Sequence, residues 1–144
     1  MEQRISLVTL GVGNVARAKA FYEKLGWRGQ EVENTAFFQA GGLALVLWNH
    51  DELAADCGLE NTSREGFGGI ALAHNVRSPR EVDETIAAAQ AAGGTITRPP
   101  DNTFYGGYAG YFLDLDGHAW EIAHNPGFAL AEDGSLTVPS FDPE

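Results

Sequence analysis

The chain has 144 residues, with nine Lys and Arg set against twenty Asp and Glu for a formal net charge of −11. That length fits one domain burying ~70% of its unfolded surface, and so few scattered cations exclude a nucleic-acid-binding surface, which rests on clustered Lys and Arg. No run approaches the ~18 apolar residues of a membrane span, the single Cys57 excludes an internal disulfide, and residues 1–6 lack the charged-then-apolar layout of a signal peptide, so a cytoplasmic protein is expected.

Residues 5–12 mix β-branched and aliphatic side chains over a strand's length, and Asn14 then supplies an N-cap for a helix over 15–25. Val15, Ala18, Phe21, Tyr22 and Leu25 recur at spacings of three and four, which gives that helix one apolar face. Gly26 closes it. Strands are expected near 27–33, 36–40 and 43–48, the last two joined by the favoured hairpin pair Gly41-Gly42. An acidic, loosely patterned stretch from 50 to 65 is expected to hold a short helix and a connecting loop.

The same order then begins again. Residues 69–76 form a strand, Ser78 caps a helix with Pro79 at its first position, and Ser78-Pro-Arg-Glu81 fits the capping-box pattern. That helix runs over 80–92 to Gly93-Gly94. A short strand at 95–98 and a loop through Pro99-Pro100 lead into a hairpin whose strands, 108–113 and 119–124, flank the turn Asp114-Leu-Asp-Gly117. The chain is βαβββ twice. Laying Leu10-Gly-Val12 on His74-Asn-Val76 superposes Leu7 on Ala71, and laying Ala44-Leu-Val46 on Trp120-Glu-Ile122 superposes Leu45 on Glu121.

The duplicated order, the opening Val8-Thr-Leu-Gly-Val12 with Ala20-Phe-Tyr-Glu-Lys-Leu-Gly26, and the closing Phe112-Leu-Asp-Leu-Asp-Gly-His-Ala-Trp-Glu-Ile122 together resemble the vicinal oxygen chelate superfamily. That superfamily includes glyoxalase I, extradiol dioxygenases and bleomycin resistance proteins. The resemblance covers about residues 4–127. It implies an α+β fold in which two glyoxalase/bleomycin resistance-like βαβββ modules, 4–49 and 67–127, form curled mixed sheets around a cavity. Residues 50–66 then form a linker with a short helix and 128–144 a C-terminal tail, all within one domain over 1–144. It also implies a homodimer, for which the apolar residues of 126–130 and 136–138 give some support.

In the enzymes of this superfamily four wall positions supply metal ligands, and the resemblance carries those positions onto Leu7, Leu45, Ala71 and Glu121. Only Glu121 is a ligand type, whereas a divalent catalytic metal takes three or more of His, Glu, Asp or Cys. No metal or other cofactor is therefore expected. Strand alternation turns Ala119, Glu121 and Ala123 to the cavity and sends His74 and His124 the other way, while His118 lies in the turn and His50 follows a strand.

The expected function is metal-independent binding of a small aromatic or cationic molecule in the inter-module cavity, with Leu7, Thr9, Leu45, Ala71, Ala73, Tyr108, Phe112 and Glu121 as the binding residues. The acidic balance favours cationic partners, and neither nucleic acid nor membrane is expected as one. An alternative is a metal-dependent lyase, isomerase or dioxygenase with Glu121, the candidate catalytic residue, as base or ligand. A third reading makes the chain a structural or accessory module.

Overall fold

A computed structural model of the chain describes residues 1–60 and 65–141. The elements run β1 (Leu7–Val12), α1 (Val15–Lys24), β2 (Gly29–Val32), β3 (Thr35–Ala40), β4 (Leu43–Asn49), α2 (His50–Asp56), β5 (Ala71–Asn75), α3 (Pro79–Ala91), β6 (Thr95–Asn102), β7 (Tyr108–Leu113) and β8 (Ala119–His124). They form two four-stranded mixed sheets, ordered β1-β4-β3-β2 and β5-β8-β7-β6. The expected α+β fold of two βαβββ modules is the one observed. Residues 61–64 of the expected linker and 142–144 of the expected tail lie outside the described residues.

The described residues divide into two compact units, one within 1–70 with 114–118 and one of 71–113 with 119–141. In the first unit β1 runs parallel to β4, and the β2–β3 and β3–β4 pairs are antiparallel. Helix α1 is capped by Asn14, whose side chain accepts from Arg17 N at 2.9 Å, and it buries Ala18, Phe21 and Tyr22 against β3 and β4. The Tyr22 ring meets Trp27 and Phe38 at 5.9 Å between centroids. The β2–β3 loop is the pair Glu33-Asn34, both at positive φ (51° and 60°), as a two-residue hairpin loop of the mirror-image type demands. Glu33 therefore ends the second strand earlier than its sequence suggests.

In the second unit β5 runs parallel to β8, which pairs antiparallel with β7. Helix α3 packs on β6, β7 and β8 and buries Val82, Ile86 and Ala89. Its start uses Ser78 as expected: Ser78 Oγ accepts from Glu81 N at 3.2 Å, while the Glu81 carboxylate accepts from Arg77 N at 2.7 Å, one residue before the cap. The sixth strand is longer than the expected 95–98. It continues through Pro99 and Pro100 because β6 is an edge strand, where a missing N–H costs no ladder bond, and two register shifts on either side of Arg98 absorb the irregularity. A Cβ at Gly110 would stand 3.1 Å from Pro100 and 3.2 Å from the Arg98 carbonyl oxygen, so a glycine there lets the bulged strand approach.

The turn after β7 packs with the first unit. Asp114 is 5% exposed, and its carboxylate accepts from the Tyr22 hydroxyl at 2.5 Å and from the backbone N–H groups of Asp116 and His118 at 2.9 Å each. Asp116 accepts from Gly13 N at 2.9 Å, and His118 Nε2 lies 2.7 Å from the Gly11 carbonyl oxygen. Removing the Asp114 carboxylate strands a buried hydroxyl and two amides. Asp114→Ala is expected to cost about 3 kcal/mol or more in denaturant unfolding, and Tyr22→Phe about 1–2 kcal/mol. A loss under about 1 kcal/mol for Asp114→Ala contradicts this account of the turn.

Candidate functional site

Ladder partners share a face of a sheet, so the registers assign every strand residue to the face packed on the long helix or to the one turned from it. In the first sheet Leu7 pairs with Ala44 and Thr9 with Val46 on the face away from α1; Val8 pairs with Leu45 and Leu10 with Leu47 on the α1 face. Leu45 is 2% exposed and lies opposite Phe38, itself in ring contact with Tyr22. Leu45 is thus a core residue packed toward α1 and not a wall position. The counterpart of Glu121 is Val46: Thr9–Val46 repeats Ala73–Glu121, and Thr9 matches Ala73 at the offset that matches Leu7 with Ala71. The expected alignment of the two strands is off by one residue, and a one-residue slip reverses the face.

In the second sheet Ala71, Ala73 and Asn75 of β5 pair with Ala119, Glu121 and Ala123 of β8. Across β7, Leu113 pairs with Ala119, Tyr111 with Glu121 and Ala109 with Ala123. All of these occupy the face away from α3. Tyr108 and Phe112 occupy the other face: Phe112 is 2% exposed and stacks on Trp120, with centroids 6.3 Å apart, and the Tyr108 hydroxyl donates to Asp83 of α3 at 2.6 Å. Their expected place in a binding wall is therefore corrected. An aromatic run hides its own alternation between the two faces.

The residue absent from the expected binding set is Tyr111. Its hydroxyl donates to Glu121 Oε2 directly across the hairpin. Counting back from the facing strand ends Leu113 and Ala119 places Tyr111 opposite Glu121, a signal the sequence contains. The hydrogen bond to Glu121, then burial, push the Tyr111 phenol up to about 12, with smaller effects from the Glu121 and Tyr105 charges and an opposing one from Arg98. The four histidines lie elsewhere. His74 and His124 fall on the α3 face, where burial lowers the His74 pKa against the raising effect of Glu81, His118 is in the Asp114 turn, and His50 begins α2.

The metal-ligand set of the superfamily's enzymes does not fit these faces. The face away from α1 offers Leu7, Thr9, Ala44 and Val46 on β1 and β4, and the face away from α3 offers Glu121 on β5 and β8, already bonded to a tyrosine hydroxyl. Among the described residues no three of His, Cys, Asp and Glu come together as a ligand group. What this face can do chemically is accept hydrogen bonds or a positive charge at Glu121 above a floor of small alanines. Among the described residues no helix is long and apolar enough to cross a membrane.

The model of the Glyoxalase/Bleomycin resistance protein/Dioxygenase superfamily matches residues 4–122. The chain belongs to this superfamily. A glyoxalase-related enzyme from Fulvimarina pelagi is 40% identical, with a TM-score of 0.88 over 96% of this chain and 100% of that one. A glyoxalase/bleomycin resistance protein/dioxygenase family enzyme from Burkholderia phytofirmans PsJN is 23% identical (TM-score 0.72, 83% of this chain, 96% of that one). Lactoylglutathione lyase from Agrobacterium tumefaciens is 19% identical (TM-score 0.64, 85% and 94%), and these two likenesses concern the fold alone. No curated protein matches the chain.

The Tyr111–Glu121 bond makes a spectroscopic prediction. Because the folded state favours the neutral phenol, its contribution to stability is complete below the ordinary value of 10 and is lost as pH rises through about 12. In an ultraviolet phenolate titration, Tyr111→Phe removes a component that titrates near 12 and Glu121→Ala moves that component down toward 10. An unchanged titration in Glu121→Ala contradicts the pairing.

Proposed function

We propose that this glyoxalase/bleomycin resistance-like protein binds a small aromatic or cationic molecule without a metal, on the β5–β8–β7 face that carries Glu121. The observation that carries the reading is the Tyr111–Glu121 pair above Ala71, Ala73 and Ala119. One carboxylate oxygen is held by the phenol, so the carboxylate is oriented while its second oxygen is left for a ligand. Small side chains leave room beside it, and an apolar surface with a few convergent polar groups is the usual form of a small-molecule site. The net charge of −11 raises the local concentration of cationic ligands.

A thermal-shift screen of aromatic amines, repeated with Glu121→Gln on each hit, tests this reading. Binding raises the melting temperature by mass action. The expected result is a hit in wild type whose affinity falls about tenfold or more in a Glu121→Gln protein that is still folded. A hit with equal affinity in both proteins contradicts the assignment to this face.

The name of the 40%-identical relative, a glyoxalase-related enzyme, favours a second reading in which Glu121 acts as a general base toward an acidic C–H of the ligand. Exchange of that hydrogen with deuterated solvent, lost in Glu121→Gln, supports it. Absence of exchange in a ligand that does bind leaves the non-catalytic reading. The proposal includes a cytoplasmic homodimer, supported by the exposure of Leu7 (55%) and Phe37 (36%) on the face away from α1. Light scattering is expected to give twice the 15.4 kDa chain mass; the single-chain mass contradicts the dimer.

A further inference from the structure

We infer that Arg98 extends the Glu121 face into a site for a zwitterionic ligand, with the guanidinium holding an anionic group while Glu121 takes the cationic one. This inference rests on the small-molecule reading above and narrows its ligand class from cationic to doubly charged.

The geometry is a single row across the second sheet. Arg98 on β6 is the register partner of Tyr111 on β7, which partners Glu121 on β8, which partners Ala73 on β5. Two inter-strand spacings, about 10 Å, separate the Arg98 and Glu121 backbones. The Tyr111 hydroxyl donates to Glu121, and the Arg98 charge acts to lower the Tyr111 pKa against that bond. Tyr105 (41% exposed) also acts on that hydroxyl, which adds a second ring near the row.

Three features of Arg98 support this role. Arg4, Lys19 and Arg80 pair with Glu2, Glu23 and Glu84, and Arg77 donates to the carbonyls of Ala131 and Glu132. The Arg98 side chain, like those of Arg17, Lys24 and Arg28, makes no ion pair or hydrogen bond among the described residues, so its guanidinium is free for a ligand in a chain with more than twice as many acids as bases. Secondly, a register shift on each side isolates it as the one β6 residue brought opposite Tyr111, and bulges re-aim side chains in this way. Thirdly, Gly110 and Pro100 fix that irregular stretch by close backbone approach. An edge strand also carries charge to block pairing with another chain, a role that predicts no preference among ligands.

The test uses three probes of matched ring size: para-(aminomethyl)benzoate with both charges, benzylamine with the cation alone, and benzoate with the anion alone. Dissociation constants are measured by NMR titration on wild type, Arg98→Gln and Glu121→Gln. The expected result is that the zwitterion binds at least about tenfold more tightly than either single-charge probe. Arg98→Gln then erases its advantage over benzylamine and Glu121→Gln its advantage over benzoate, with melting temperatures unchanged in Arg98→Gln. Equal binding of benzylamine and the zwitterion, indifferent to Arg98→Gln but weakened by Glu121→Gln, overturns the inference and leaves the cation-binding reading intact. No perturbation of second-sheet resonances by any probe overturns both.

Discussion

A buried carboxylate fixes the geometry on which the candidate site depends. Asp114 folds the turn between β7 and β8 by accepting two backbone amides of that turn and the Tyr22 hydroxyl. The turn sets the hairpin register, and the register puts Tyr111 opposite Glu121. A slip of one residue would send Glu121 into the α3 face, among Phe112, Trp120 and Ile122, where an unpaired charge costs far more than a lost hydrogen bond. The same turn meets the start of α1 through Gly13 N–Asp116 and the end of β1 through Gly11–His118. One acid thus determines where the other points.

On the face so defined, the chemistry is spare. Glu121 meets a phenol, and its ladder partner Ala73 and the flanking Ala119 and Ala123 are all alanines. The hydrogen bond holds Tyr111 neutral and orients the carboxylate, a preorganisation suited to binding. The scaffold is that of the Glyoxalase/Bleomycin resistance protein/Dioxygenase superfamily, which hosts many chemistries by changing wall residues on a constant frame.

Much of the fold was legible because its signals are local. Asn14 and Ser78 cap helices as their sequences predict, Gly41-Gly42 makes its two-residue turn, and the apolar spacing of α1 matches the buried Ala18, Phe21 and Tyr22. What failed was non-local. Leu45 was aligned with Glu121 by chain pattern, but its face is decided by pairing with Val8 and Phe38, and neighbouring residues on a strand read alike in an all-aliphatic stretch. Tyr108 and Phe112 were grouped with the site because an aromatic run hides its alternation. The extension of β6 through two prolines was hidden because only the sheet order reveals that the strand lies at an edge.

The central proposal is that Glu121, paired with Tyr111 on an alanine floor, acts without a metal. Titration of methyl-labelled protein with Mn²⁺ tests it most directly, because a bound paramagnetic ion broadens nearby resonances selectively. The account predicts that the methyl signals of Ala73, Ala119 and Ala123 broaden no more than those of exposed alanines elsewhere. Selective broadening of these three that saturates at one equivalent and disappears in Glu121→Gln would contradict it.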